Sequence, residues 1–164
     1  MKFLCRLLSL MLILSLCAAC TPQGQDWFVV FRQGFAVEVT GEVCGERISA
    51  RITAEAVTAE GVLPLTVTFY APKALEGATL ARDAAGDVRL EYGDMVLREG
   101  LGSLPDLLCC FPTAGAIRAA SLNEAGHTEV HCGETVVEYL ADGTPYRLLF
   151  GDTVSLTVLD WQPK

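Results

Sequence analysis

The sequence is poor in positive charge. It has 12 Lys and Arg residues against 20 Asp and Glu residues, which gives a formal net charge of −8. Removal of the first 19 residues would take away Lys2 and Arg6 and no acidic residue, so that the charge becomes 10 − 20 = −10. Such a surface repels nucleic acid, anionic lipid headgroups and acidic wall polymers. The excess of acids is most simply a solvated face, and we expect no nucleic-acid partner.

Motifs of the common catalytic classes are also missing. There is no G-x-S-x-G nucleophile elbow, and Gly100–Ser103 is too short a glycine pattern to cradle a phosphate. Residues 83–87 lack the alternating acidic ligands of a calcium loop. No pair of carboxylates can be singled out for sugar hydrolysis. We therefore expect a non-catalytic protein without a cofactor, with enzymatic activity as a minor alternative.

Histidine is scarce, since the chain has only two. His127, Glu129 and His131 would share one face if residues 126–132 form a strand, with Cys132 on the opposite face. Side chains two positions apart on a strand face are about 6.6 Å apart, and those four positions apart about 13 Å. One metal ion could bridge neighbours but not both histidines. We interpret the pattern as the polar surface of a strand and predict no metal site.

No apolar run is long enough to cross a bilayer, which needs about 20 residues. The longest candidate, Leu7–Leu16, follows two basic residues and precedes two alanines and Cys20. This arrangement is typical of an export signal. It resembles the lipobox of bacterial lipoproteins, with Cys17 at a position where that family usually has Leu. The resemblance implies a signal peptide at residues 1–19, lipidation of Cys20 and anchoring to the outer face of the cytoplasmic membrane. Secretion after cleavage elsewhere is the alternative.

The part after the signal peptide has 164 − 19 = 145 residues, which fits one domain. A chain of this size buries about 68–70% of its unfolded surface and needs neither a metal nor a disulfide to hold a core. Four cysteines remain at positions 44, 109, 110 and 132. They allow three pairings, and an exported protein can keep disulfides. Paired cysteines and buried free thiols both stay open.

Strict alternation of apolar and polar residues begins at Phe35, after a tether at residues 20–26, and defines a single domain at residues 27–164. Period-two alternation is typical of half-buried antiparallel strands. The predicted strands are 35–43, 47–56, 63–71, 78–83, 88–92, 95–98, 127–132, 136–140, 146–150 and 154–159.

Two segments interrupt the strands. Residues 27–33 fit a short helix capped by Asp26, although the stretch from Phe28 to Phe31 is equally compatible with an extended chain. Between residues 101 and 122, Pro105 favours a helix start and Pro112 interrupts that helix. A second helical turn is predicted for residues 113–122.

About ten antiparallel strands with a helical insert predict a mainly β fold. We expect a strongly curled sheet, a half-barrel, with one or two short helices over its concave face. An apolar hollow on that face is the natural ligand site. Sequence does not decide whether the hollow is open or filled by the protein's own side chains. The residues expected to line it are Val37, Ile52, Val67, Phe69, Leu90, Tyr92, Val136 and Leu148.

The alternation from Phe35, the P-x-x-L-x-G pattern of residues 72–77 and the turn at residues 142–145 together resemble small lipoproteins with the LolA-like fold. That family includes lipoprotein carriers and glycolipid-binding lipoproteins. The resemblance implies binding of a lipid, an acyl chain or another amphipathic molecule in the hollow. We expect a monomer. This chain departs from the soluble carriers because it has its own lipobox, which favours action at one membrane. The alternative is a non-catalytic envelope protein with a filled core that docks to a partner.

Overall fold

The computed structural model describes residues 26–164. The predicted signal peptide, the lipidation site at Cys20 and most of the tether lie outside the described residues. Within residues 26–164, no helix has the length and apolar character needed to span a membrane.

The fold is mainly β, as the alternation predicts. In the part of the chain that the structure describes, eleven strands, all paired antiparallel, form one sheet in the order β6-β5-β4-β3-β2-β1-β11-β10-β9-β8-β7. The strands are β1 (Phe35–Val43), β2 (Glu46–Ala54), β3 (Leu65–Ala71), β4 (Thr79–Arg82), β5 (Val88–Tyr92), β6 (Met95–Leu97), β7 (Ile117–Leu122), β8 (Thr128–Cys132), β9 (Thr135–Tyr139), β10 (Pro145–Phe150) and β11 (Val154–Pro163).

One face of the sheet carries the core. Val37, Ile52, Val67 and Leu80 are successive cross-strand partners on β1 to β4, and each is buried. Their chain neighbours are more exposed, because adjacent side chains of a strand point to opposite faces. Alternation in the sequence therefore becomes a continuous apolar row across the sheet.

The first and last strands pair at the middle of the sheet, where β1 lies between β2 and β11. The ladder between β1 and β11 has an irregularity between Glu38 and Val39. Nearby, a Cβ atom added to Gly41 would lie 2.0 Å from the backbone oxygen of Ser155. The close approach of the two strands at this point leaves no room for a side chain.

Within residues 26–164, two short helices, α1 (Val29–Arg32) and α2 (Asp106–Cys109), pack on the core face. Helix α1 lies within the predicted 27–33 segment, and its Phe31 is fully buried. The backbone N–H of Phe28 donates to the Asp26 carboxylate at 3.3 Å, and the same carboxylate contacts Arg32. The prediction of a helix over the extended alternative is thus confirmed for Val29–Arg32, whereas the N-cap is Phe28 and not the predicted Asp26.

The predicted helical turn at residues 113–122 is wrong. Residues 117–122 form β7, which pairs with β8 and is exposed along its whole length. Small residues with good helix propensity fill this segment, but pairing with β8 overrides a preference of that size. Of the insert that was predicted to cover the sheet, only α2 and its flanking residues do so. Helix α1 provides the rest of the cover.

The sheet is open, with β6 and β7 at its two edges, and it is not strongly curled. The predicted half-barrel is wrong in this respect. A sheet of about ten or more strands can curl, split or flatten. The prediction of a curled sheet depended on the strand count alone, and that count does not decide among the three outcomes.

Candidate functional site

Most of the residues predicted to line a hollow are core residues. Five of them are at most 2% exposed and belong to one continuous apolar cluster: Val37, Ile52, Val67, Phe69 and Leu148. Their inward orientation agrees with the prediction. Such complete burial means that they are in contact with the protein's own atoms.

The space above the centre of the sheet holds aromatic side chains. The Phe31 ring makes edge contacts with Phe35, Phe111 and Trp161, at centroid distances of 5.8, 6.0 and 5.7 Å. Trp161 also stacks on Phe35 at 4.6 Å. Offset and edge-on pairs of this kind add stability beyond the area that they bury. The central part of the predicted hollow is filled by these four rings.

Two predicted lining residues lie towards the β6 edge instead. Leu90 is half-buried and Tyr92 is 49% exposed. Together with Leu75, Met95 and Leu97 they line a small apolar cavity of about 160 Å³. This cavity is smaller than the 300–1,000 Å³ that is usual for ligand pockets.

Val136 lies on the outer face, so its predicted inward orientation is wrong. It pairs with His131 and Leu149, whereas the buried Val137 pairs with Val130 and Leu148. A shift of one residue moves every side chain of a strand to the other face. Two valines in succession at positions 136 and 137 left the face of β9 undecided by hydrophobicity alone.

A larger groove, of about 530 Å³, lies beside α2. One wall is the loop before β3 together with Arg82 at the end of β4, and the other is the segment from Leu108 to Ala114. Cys132 and Thr135, next to the turn between β8 and β9, also contribute to it. We call this space the α2 groove; its lining residues are Gly61, Val62, Leu63, Arg82, Gly86, Leu108, Cys109, Phe111, Pro112, Thr113, Ala114, Cys132 and Thr135.

Arg82 is the one charged side chain in the lining of the α2 groove. Its cross-strand partners on the core face are Leu65 and Val88, and its Nε donates to the backbone oxygen of Leu63 at 3.0 Å. Burial lowers the pKa of the guanidinium, and the neighbouring Cys109 opposes that shift. No carboxylate forms a salt bridge with Arg82 within residues 26–164.

A second, more polar depression of about 460 Å³ lies beside β3 and β4. Arg82 reaches this depression too, together with Glu55, Asp83, Arg89 and Lys164. Arg89 is already paired there with the carboxylates of Asp83 and Glu91. The α2 groove is the more apolar of the two spaces.

The four cysteines of the described region are free thiols. Burial raises the pKa of Cys109, Arg82 opposes that shift, and Asp106 and Glu134 add to it. Cys110 is buried, and burial raises its pKa as well. Both shifts disfavour the thiolate, which is the reactive form of cysteine.

The polar face of β8 continues onto β9 and β10. His131 lies 3.5 Å from Glu129, as the shared face predicts, whereas His127 contacts Glu138 at 3.6 Å. Glu138 is only 7% exposed and also lies 3.6 Å from Arg147. The burial of Glu138 and its contacts with His127 and Arg147 were not predicted from the sequence, because nothing in the local pattern of β9 marks this residue as buried. Within residues 26–164, no group of three or more His, Cys, Asp or Glu side chains is placed to hold a metal ion.

Comparison with known proteins identifies the fold but no family. No protein-family model and no curated protein matches the chain. An uncharacterized conserved protein from Thermus thermophilus superposes with a TM-score of 0.51 and 15% identity, over 85% of this chain and 84% of that one. MucB superposes with a TM-score of 0.52 and 14% identity, over 88% of this chain. The chain spans 60% of the length of MucB. These likenesses show a shared fold alone.

Proposed function

We propose that this protein is a non-catalytic extracytoplasmic lipoprotein that binds an amphipathic ligand, such as a lipid or an acyl chain, in the α2 groove. The single observation that supports this function is the size and chemistry of the groove. At about 530 Å³ it falls within the usual range of ligand pockets, and its lining combines apolar side chains with a few polar groups.

The groove differs in place from the hollow expected from the sequence. The expected site was the centre of the sheet, which the aromatic rings of α1, β1, β11 and Phe111 occupy. The α2 groove lies beside this cluster and shares Phe111 with it. An acyl chain bound in the groove would therefore pack against the side of the apolar core. Each buried methylene group contributes about 0.8 kcal/mol, so a long acyl chain binds usefully even after its ordering costs.

The lipoprotein part of the proposal depends on the N-terminal sequence. A positive start, a short apolar run and small residues before Cys20 favour export and lipidation. Attachment of the domain to the outer face of the cytoplasmic membrane would place the groove close to a source of acyl chains. The resemblance to LolA-like lipoproteins points to the same class of ligand.

A second candidate function is docking to a protein of the cell envelope through the β6 edge. Tyr92, Met95, Val96 and Leu97 are between 41% and 51% exposed there. An edge strand presents unpaired backbone groups to which another chain can add. The filled centre of the core is compatible with this alternative.

One experiment on the full-length protein, purified from membranes in detergent, distinguishes the two functions. Ala114 is exposed at the groove, so Ala114→Trp should fill the groove without disturbing the core. Ala125→Trp is the matched control, because Ala125 is an exposed alanine in the turn before β8. The measurements are mass spectrometry of lipids in an organic extract and uptake of a fluorescent fatty acid.

Ligand binding in the groove predicts stoichiometric lipid or saturable uptake in the wild type and in Ala125→Trp, with a loss of at least tenfold in Ala114→Trp. A clean extract together with no uptake by the wild type would overturn the proposal and leave the docking function ahead. Equal uptake by all three proteins would place the ligand elsewhere.

A further inference from the structure

The guanidinium group of Arg82 has more hydrogen-bond donors than its contacts within residues 26–164 use. A guanidinium group has five N–H donors in a rigid fork, and the Nε–H donates to the backbone oxygen of Leu63. The remaining donors belong to the two terminal nitrogens, which form no salt bridge with a carboxylate of residues 26–164. The Nε contact fixes the side chain at the wall of the groove and leaves the other end of the fork available.

The surroundings of Arg82 make an anion favourable there. The side chain lies on the core face between Leu65 and Val88 and is partly withdrawn from water. An opposite charge is attracted more strongly at such a site than at the surface, because the effective dielectric constant is lower. Guanidinium and carboxylate groups also match in geometry and form charge-assisted bidentate hydrogen bonds.

The rest of the α2 groove suits an alkyl chain. Leu63, Leu108 and Phe111 border the groove but are almost fully buried. The apolar surface open to a ligand comes mainly from Val62, Ala114 and Cys132. A ligand that satisfies both parts has one charged head and one apolar tail.

The charge balance of the groove favours a single negative charge on that head. Arg82 is the one cation in the lining of the groove. One cation pairs with one negative charge, and a second negative charge on the head would stay unpaired at this partly buried site, which is costly. A carboxylate therefore fits better than a phosphate monoester, which carries up to two charges near neutral pH.

We propose that Arg82 binds the carboxylate of a single-chain fatty acid whose alkyl chain occupies the α2 groove. This inference rests on the proposed ligand-binding function and specifies the chemical class of the ligand. In this proposal Arg82 recognises the carboxylate head group, and the apolar lining of the groove binds the alkyl chain.

The test compares three probes with a chain of 16 carbons: palmitate, hexadecanol, and a lysophosphatidate with a palmitoyl chain. Full-length protein in detergent is titrated with each probe, and native mass spectrometry counts the probe molecules bound without a covalent bond. Arg82→Gln removes the charge of Arg82, and Arg82→Lys keeps the charge but loses the fork. Arg118→Gln is the matched control, since Arg118 is exposed on β7 and does not line the groove.

We expect palmitate to bind the wild type at least tenfold more tightly than hexadecanol or the lysophosphatidate. Arg82→Gln should weaken palmitate binding at least tenfold and leave hexadecanol binding unchanged. Arg82→Lys should give an intermediate affinity, and Arg118→Gln should behave like the wild type. Thermal unfolding of each variant identifies any loss that comes from unfolding, and unchanged hexadecanol binding by Arg82→Gln shows an intact groove.

Failure of this inference differs from failure of the proposed function. Equal binding of palmitate and hexadecanol that is insensitive to Arg82→Gln but lost in Ala114→Trp would overturn the role of Arg82 and keep the groove. Preference for the lysophosphatidate would show that the head group of the ligand is a phosphate and not a carboxylate. Binding of none of the probes would overturn both.

Discussion

At the scale of single residues, Gly41 sets the distance between the two central strands. A Cβ atom at this position would lie 2.0 Å from the Ser155 backbone oxygen, and backbone atoms of Leu156 are close as well. We expect Gly41→Ala to lower the free energy of unfolding by more than about 3 kcal/mol, because overpacking against backbone cannot be relieved by a rotamer change. Urea unfolding measures the change.

The control for Gly41 is Gly45→Asn in the turn between β1 and β2. Gly45 has φ of +83° and nothing within 4 Å of an added Cβ atom, and Asn tolerates this conformation better than most residues. We expect a smaller loss for this variant. A loss for Gly41→Ala no greater than that for Gly45→Asn would show that the central strands can separate without cost.

Tyr139 connects the outer strands to the N-terminal segment. Its hydroxyl donates to the backbone oxygen of Trp27 at 2.7 Å, and the two rings are 5.2 Å apart. Tyr139→Phe leaves a buried carbonyl without its donor, which costs about 1–3 kcal/mol. Tyr70→Phe is the control, since Tyr70 is 48% exposed and its change should stay within about 0.5 kcal/mol. Equal effects of the two substitutions would contradict the role of this hydrogen bond.

The same residue makes stability sensitive to alkali. Burial, with a smaller effect of Cys132, raises the pKa of Tyr139 above its ordinary value of 10.0. The unfolded chain therefore loses this proton first, and the stabilisation is complete below pH 10 and declines as the pH rises beyond it. We expect the free energy of unfolding to fall more steeply above pH 10 in the wild type than in Tyr139→Phe. Parallel curves would contradict the prediction.

Residue patterns predicted burial well where apolar and polar side chains alternate. Val37, Ile52 and Val67 all face inward as the alternation indicated. The pattern failed at Val136, where two adjacent apolar residues made both faces acceptable. It also could not mark Arg82 as a groove residue, because the burial of Arg82 depends on α2, which is more than 20 positions further along the chain.

At the scale of elements, β7 is an edge strand with little buried surface. It lies at the edge of the sheet, and all six of its residues are exposed. Local opening of such an element costs far less than global unfolding, because little apolar surface is buried in it. We expect the amides of β7 to exchange with deuterium much faster than those of β1, measured by mass spectrometry on peptides. Equal protection of β1 and β7 would contradict this prediction and indicate that a further contact covers β7.

Helix and strand were hard to distinguish in the segment that contains β7. Residues 114–120 are rich in alanine, which favours a helix, and β7 is formed only because β8 is beside it. Pairing partners are not visible in a local window. Helix α2 was predicted at the right place because Pro105 marks its start by a local effect, the fixed φ of proline.

At the scale of the whole molecule, the anchor is the first prediction to test. We expect Cys20→Ala to abolish incorporation of palmitate and to release the protein from membranes, since two acyl chains give stable anchoring where one is marginal. Cys17→Ala is the matched control and should remain anchored. Membrane fractionation and labelling with radioactive palmitate are the measurements. Continued labelling of Cys20→Ala would show that another residue carries the lipid.

The broad architecture followed from the sequence more fully than the site did. Period two over most of residues 35–161 is enough to predict an antiparallel sheet with one buried face. The α2 groove is formed by segments far apart in the chain, namely residues 61–63, 82–86, 108–114 and 132–135. Only the folded sheet brings these segments together, so their local sequences could not identify the groove.

The pairing of β1 with β11 has a consequence for how the protein is made. Neither strand lies at an edge, and the ladder joins Phe35 to Pro163. Until the last strand is available, β1 exposes a buried apolar face and an unpaired side. The sheet therefore cannot be completed progressively as the chain is synthesised, because β1 stays unpaired on one side until β11 has emerged. A premature stop before β11 would leave a product that quality-control proteases can recognise and degrade.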